Sequence, residues 1–362
     1  MNAGIYIHVP FCAVRCPYCD FYSVRYSADA AKAYTDAVCR NLNALPEDLT
    51  ADTLYLGGGT PSLLKPDMIA EITATAKAFI SKFEEAEISL EANPLTVTKE
   101  RAVEWRKAGI NRLSLGVQSF SEETLRTLGR KHSPAQARQA VQNAVNAGIT
   151  NLSIDLMIGL KHQDLTALRQ ELESACALPV THISVYLLKI EPETPFGQNP
   201  PALLTADETA DLYLEMDRLL TGAGYEHYEI SNFAKPGFAS RHNSKYWRCL
   251  PYYGIGPGAH SCYDGRRFAV PKDLNAFLSA DIQPMNVTDG QALTDGEQIM
   301  LGLRLKEGIY PDRFPDVKER LMKAAKPLIP QYLTYQNNQL AMTPTGWLVS
   351  NSVLAALLRD IP

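Results

Sequence analysis

Tyr6-Ile7-His8-Val9-Pro10-Phe11-Cys12-Ala13-Val14-Arg15-Cys16-Pro17-Tyr18-Cys19-Asp20-Phe21 places three thiols on one short piece of chain. The spacing is Cys12-x3-Cys16-x2-Cys19, and no second pair lies nearby. A structural zinc site wants four protein ligands, so zinc here needs His8 as a fourth. A [4Fe–4S] cubane has four irons, and three cysteines leave one of them open to bind a small molecule. The spacing favours the cubane, with zinc or buried thiols as the alternatives. The other four cysteines, Cys39, Cys176, Cys249 and Cys262, are scattered and read as small buried hydrophobes. Seven cysteines in this arrangement do not make a disulfide framework.

Outward from the cluster, short apolar or β-branched runs recur at Gly4–His8, Thr53–Leu56, Glu87–Leu90, Arg112–Leu115, Asn151–Asp155 and His182–Leu187. Helical spacing fills the intervals at 28–44, 67–83, 98–108, 134–147 and 164–177, with a further helix at 205–223. Strand alternating with helix predicts a parallel sheet. The helices ahead of Gly109 and Gly148 end at residues suited to a left-handed cap. Polar or glycine-rich groups follow successive strands: the cysteines, then Gly57-Gly58-Gly59-Thr60-Pro61, Glu91-Ala92-Asn93-Pro94 and Gly116-Val117-Gln118-Ser119, with Asp155 near the end of the fifth. The carboxyl ends of parallel strands are where ligands bind in barrels and in open doubly wound sheets alike. Six units fall short of an eightfold barrel, so the expectation is an α/β fold with an incomplete (β/α)6 barrel spanning 1–233.

Residues 234–289 read as a loop-rich covering segment, with Lys235-Pro236-Gly237, Gly254-Ile255-Gly256-Pro257-Gly258 and many aromatics. Residues 290–362 read as a small α+β, winged-helix-like module. It begins with a capping box Thr294…Glu297 and a helix to Gly308, then a helix near 315–325, strands around Gln331–Tyr335 and Gln339–Met342, and a closing helix after Thr345. That module carries eight Lys/Arg and seven Asp/Glu, and the whole chain has a net charge of −5, so no basic field draws it to nucleic acid. At 362 residues, 46% hydrophobic and 21% charged, the chain is ordinary globular material. No run is long enough for a transmembrane segment. The start, Met1-Asn2-Ala3-Gly4-Ile5-Tyr6, lacks signal-peptide character, so the expected location is cytoplasmic.

The quoted cysteine stretch resembles the opening of the radical S-adenosylmethionine (SAM) superfamily, in the branch similar to oxygen-independent coproporphyrinogen III oxidase. The resemblance continues through Gly57–Ser62, Glu91–Pro94, Gly116–Phe120, Asp155–Leu160, Tyr225–Phe233, Arg241-His242-Asn243-Ser244-Lys245-Tyr246-Trp247 and Tyr253–Ser261. Two departures separate the chain from the oxidases. Phe21 stands where they carry another cysteine, and less chain precedes the first cluster ligand. Both features, with His242-Asn243-x-x-Tyr246-Trp247, are similar to the heme chaperones of the branch. Lys161 stands where the family usually has proline.

The resemblance implies a [4Fe–4S] cluster on Cys12, Cys16 and Cys19. It implies a SAM site from Tyr6, Tyr18, Gly58, Gly59, Thr60, Glu91, Gln118, Arg130 and Asp155. Without it, the glycines read as a tight turn, Glu91 as a lysine's partner and Arg130 as a surface charge. His242 reads by itself as an exposed loop histidine; the resemblance implies that it ligates heme iron, with Tyr246 and Trp247 against the macrocycle. His260 is a second candidate. The implied function is heme binding and transfer to acceptor proteins, including respiratory ones at the membrane. The rival reading is coproporphyrinogen III oxidase, decarboxylating propionates by a SAM-derived radical.

Overall fold

A computed structural model describes residues 2–359 and 361. The six expected strands form: β1 (Ala3–Val9), β2 (Ala51–Gly58), β3 (Glu87–Ala92), β4 (Arg112–Gln118), β5 (Asn151–Ile158) and β6 (His182–Leu187). They pair in that order and run parallel throughout. Crossover helices Ala28–Asn43, Pro66–Ala76, Lys99–Lys107, Pro134–Asn146 and Leu165–Cys176 lie between them, and Ala206–Gly222 follows β6.

Local chemistry sets the helix ends. The side chains of Ser27, Thr98 and Asp164 accept first-turn N–H groups, and Ser133/Gln136 and Thr205/Glu208 form reciprocal capping boxes. Gly109 and Gly148, at φ 95° and 82°, take the left-handed conformation after two helices, as their positions predict. The helix expected over 67–83 runs as an α-helix to Ala76 and tightens into a 3-10 turn at Lys77–Phe79, after which Ile80 turns extended and bridges Ala51 in parallel.

Alternation along the strands gives the sheet two different faces. Ile5, Ile7, Leu54, Leu56, Ile88, Leu90, Leu113 and Leu115 are sealed against the helices. The opposite face is polar: Tyr6 pairs with Tyr55, Tyr55 with Ser89, Ser89 with Arg112, and Glu91 with Ser114. Buried Glu87 and Arg112 stand 3.7 Å apart there. A closed barrel packs its centre with branched aliphatics. This one keeps a hydrogen-bonded, cofactor-sized interior instead.

Beyond the six strands, the sheet is more regular than the sequence suggests. At one edge β6 pairs antiparallel with β8 (Asn232–Ala234), which pairs with β7 (Glu226–Glu229). At the other, β9 (Tyr252–Ile255) pairs parallel with β1, and β10 (His260–Tyr263), β11 (Arg266–Ala269) and β12 (Asn286–Asp289) continue antiparallel. The sheet thus has twelve strands and two free edges, an incomplete barrel. This corrects the loop-rich reading of 234–289. Those strands are only four residues long and find their partners across the chain, so little local periodicity announces them.

At the C-terminal end, Thr294 caps a helix as expected, but the helix stops at Gly302 rather than Gly308. A side chain at Gly302 would lie 2.5 Å from Ile309 Cγ2, where the chain folds back on itself. Helix Lys318–Ala325, the hairpin Leu333–Gln336/Gln339–Met342, and helices Pro344–Leu348 and Ser350–Leu358 complete the module. Its apolar residues join those of the barrel in one continuous core.

Candidate cofactor site

The cysteine loop leaves β1 and is tied down by glycine. Gly59 N–H donates to Val9 O and Thr60 N–H to Phe11 O, both at 2.8 Å. A Cβ on Gly59 would sit 2.7 Å from Phe11 O and 3.1 Å from Cys12 Sγ, so only glycine lets the two loops meet. Cys12 Sγ lies 3.7 Å from Thr60 Oγ1. Arg130 Nη1 donates to Cys16 Sγ at 3.4 Å, while Nη2 donates to Gly116 O at 2.7 Å. Burial and then the neighbouring Cys16 and Cys12 raise the Cys19 thiol against the pull of a backbone N–H. Among the described residues no three His, Cys, Asp or Glu side chains gather tightly enough for one metal ion. A cubane offers each thiolate a separate iron, and three half-buried thiols on one loop fit it. His8, the fourth ligand that zinc needs, has both nitrogens engaged: Nε2 donates to Tyr22 O at 3.1 Å, and Nδ1 accepts from the Tyr6 hydroxyl at 3.0 Å.

Around the cluster loop the strand ends present the expected SAM residues. Tyr55 donates to Glu91 Oε1 at 2.8 Å, and Gly58 N–H donates to Oε2 at 3.0 Å. Burial pushes the Glu91 carboxyl up to about 7, against those two hydrogen bonds. Gln118 has φ 66°, uncommon for a residue with a side chain, and its buried Oε1 has no partner. A buried acceptor without a donor is costly inside a protein and fits a ligand's N–H or hydroxyl. Gly116 leaves room for both Gln118 Nε2 and Arg130 Nη2, which would lie 3.2 and 3.3 Å from a Cβ there. Tyr18 packs at the same place against Phe196, Leu128 and Leu160.

Tyr6, Gly58 and Glu91 share the wall of one cavity of about 590 Å3, which opens beside the cluster loop. Asp155 stands behind it, in a smaller polar space that also touches Glu91. Ser114 Oγ donates to both Asp155 oxygens at 3.2 and 3.4 Å, and burial lifts this carboxyl to about 6. Tyr55, which fixes Glu91, was missed by motif reading. Its signal is the alternation that puts it on the polar face directly opposite Tyr6. Lys161 keeps its loop intact: its N–H donates to Ala202 O at 2.9 Å, a bond that proline would forfeit.

His242 is placed differently from the expectation. It lies on helix Arg241–Trp247, not in an exposed loop, and is fully buried. Ser240 caps the helix, and Glu87 on β3 accepts the N–H groups of Arg241 and His242 at 3.1 and 2.9 Å. Its Nδ1 bonds Thr53 Oγ1 at 2.8 Å, its Nε2 bonds the Tyr246 hydroxyl at 2.9 Å, and its ring stacks on Tyr55. Burial, and then Lys245, push its pKa down to about 3. Both nitrogens of this neutral imidazole are taken by the protein, which corrects the expectation of an accessible iron ligand.

An incomplete parallel barrel with a three-cysteine loop at its strand ends defines a radical SAM protein, and residues 6–175 match the Radical SAM superfamily. Within it the chain belongs to the heme chaperone HemW family. It is 43% identical to the heme chaperone HemW of Escherichia coli (strain K12), over 71% of this chain and 69% of that one. It is 34% identical to the HemW of Haemophilus influenzae, over 99% of this chain and 98% of that one. Coproporphyrinogen III oxidase (HemN) from Escherichia coli, a radical SAM enzyme, shares the fold: the TM-score is 0.82 at 21% identity, covering 98% of this chain and 90% of that one. Membership of the superfamily implies a [4Fe–4S] cluster and SAM. No helix among the described residues is long and apolar enough to cross a membrane.

Proposed function

We propose that this protein binds heme and hands it to acceptor proteins, with the cluster and SAM at the same end of the barrel as the heme. Cys12, Cys16 and Cys19 hold the cluster, which supplies an open iron where SAM binds. Tyr6, Tyr18, Gly58, Gly59, Thr60, Glu91, Gln118, Arg130 and Asp155 form the SAM site: the glycines admit the ligand and Glu91 and Gln118 meet its polar groups. The observation that carries the heme reading is the cavity of about 590 Å3 contiguous with that site, in a chain whose near-full-length relatives are heme chaperones. Its size is in the range of cofactor pockets, roughly 300–1,000 Å3. Residues 1–233, 234–289 and 290–362 act as barrel, covering segment and C-terminal module. The working location is the cytoplasm, with acceptors that include respiratory proteins at the membrane.

The test is to reconstitute the protein anaerobically and assay heme uptake and coproporphyrinogen decarboxylation side by side. Stoichiometric heme binding without decarboxylation is expected. Turnover at enzyme-like rates, on the order of 1 s⁻¹ or faster, would instead make the chain an oxidase.

A further inference from the structure

The cavity beside the cluster loop is lined by carboxylates at Asp20, Glu91 and Glu297, and two further features meet in it. One is aromatic: Tyr246 and Trp247 at the end of helix Arg241–Trp247, and Tyr252 on β9. The other carries basic nitrogen: His260 at the start of β10, and Lys272 just after β11. The register explains the meeting of the two. Tyr252 pairs with Cys262, so His260, two residues earlier on β10, stands on the same face as Tyr252. Gly254 permits the hairpin to close this tightly, since a Cβ there would lie 2.3 Å from His260 O.

The basic groups on this wall are not equivalent. His8 has both ring nitrogens hydrogen-bonded, whereas the exposed His260 ring has no hydrogen-bond partner among the described residues. Arg267 is already held by Glu297 and by the Tyr252 hydroxyl. Lys272 has no carboxylate partner among the described residues, and its charge acts on His8 and His260. Its stem passes 3.5 Å from where a Cβ on Gly258 would stand, which keeps the ammonium beside the cavity. The wall therefore offers one available imidazole and one cation without a carboxylate partner, beside the rings of Tyr246, Trp247 and Tyr252.

Building on the heme-binding reading above, we propose that this cavity is the seat of the tetrapyrrole. His260 ligates the iron, Tyr246, Trp247 and Tyr252 lie against the macrocycle, and Lys272 pairs with a propionate carboxylate. A neutral imidazole donates a nitrogen lone pair to iron, flat rings stack on a flat ligand, and a cation without a partner favours a carboxylate. No other residue seen on this wall combines these properties with access to the opening.

Ferric heme titrated into the full-length protein, read by its absorption spectrum, tests the assignment. The wild type is expected to give an imidazole-ligated spectrum. His260→Ala should lose that spectrum and bind at least about tenfold more weakly, with its SAM affinity unchanged. Lys272→Ala should keep the spectrum and lose about tenfold in affinity, and Lys272→Arg should restore it. Heme dimethyl ester should bind the wild type about tenfold more weakly than heme, a preference that Lys272→Ala should abolish. If the wild type takes up no heme, the functional reading itself fails. If it takes up heme and both alanine variants match it in spectrum and affinity, the reading stands and this seat is wrong.

Discussion

Tyr55 donates its hydroxyl to Glu91 across neighbouring strands at 2.8 Å, fixing one carboxylate oxygen while the Gly58 N–H fixes the other at 3.0 Å. The carboxyl is thus oriented before any ligand arrives, at the ring of strand ends where the cysteine loop also lands. Glu91→Ala should weaken SAM binding on the order of 30- to 100-fold, the loss of a charge-assisted contact, without changing iron content. Calorimetry on reconstituted protein checks this, and Tyr55→Phe should give a smaller loss.

The same carboxyl makes a pH prediction. Its folded pKa is raised to about 7, so between about 4.5 and 7 the folded state holds a proton that the unfolded state has released. Stability therefore falls as pH rises through that window, by an upper bound on the order of 3 kcal/mol from this group. Asp155 and Glu171, raised to about 6 and about 7, slope the same way. Chemical denaturation at several pH values should show Glu91→Gln with a shallower decline than wild type.

His242 titrates with the opposite sign. Its pKa of about 3 means that acid charges the unfolded imidazole before the folded one, so its contribution is lost as pH falls below about 6.5 toward 3. His242→Ala also strands the hydroxyls of Thr53 and Tyr246 and opens a hole beside Tyr55. The expected cost is about 2–4 kcal/mol by denaturant titration.

The cysteine loop should be intolerant of a single methyl group. Gly59→Ala would press on Phe11 O and Val9 O, so the protein should incorporate less iron on anaerobic reconstitution. Gly222→Ala is the control: nothing lies within 4 Å, and it stands in a helix, so stability should rise by about 0.5–1 kcal/mol with iron unchanged.

Loss of all three thiols separates the cofactors. The triple alanine variant of Cys12, Cys16 and Cys19 should carry no iron–sulfur absorption, yet still take up heme. Both readouts come from one spectrum of the reconstituted protein.

The sequence alone determined the barrel and its cofactor end. Thiol spacing is a local property, and so is the change from period-2 to period-3.6 patterning that marks each strand and helix. The placement of Glu91, Gly58 and Asp155 at one end of the sheet was legible because a parallel strand delivers its last residues there. What the local text does not encode is partnership. His242 sits in a segment of glycines and aromatics that reads as a loop, but a carboxylate 155 positions earlier accepts its backbone N–H and makes the helix start there. Thr53, 189 positions away, then takes its ring nitrogen. His260, only a second candidate by sequence, shows the converse, since the register of β9 and β10 turns it toward the cavity. Whether a histidine is a filled core group or an available ligand depends on which donors and acceptors surround it, and only the tertiary structure decided that.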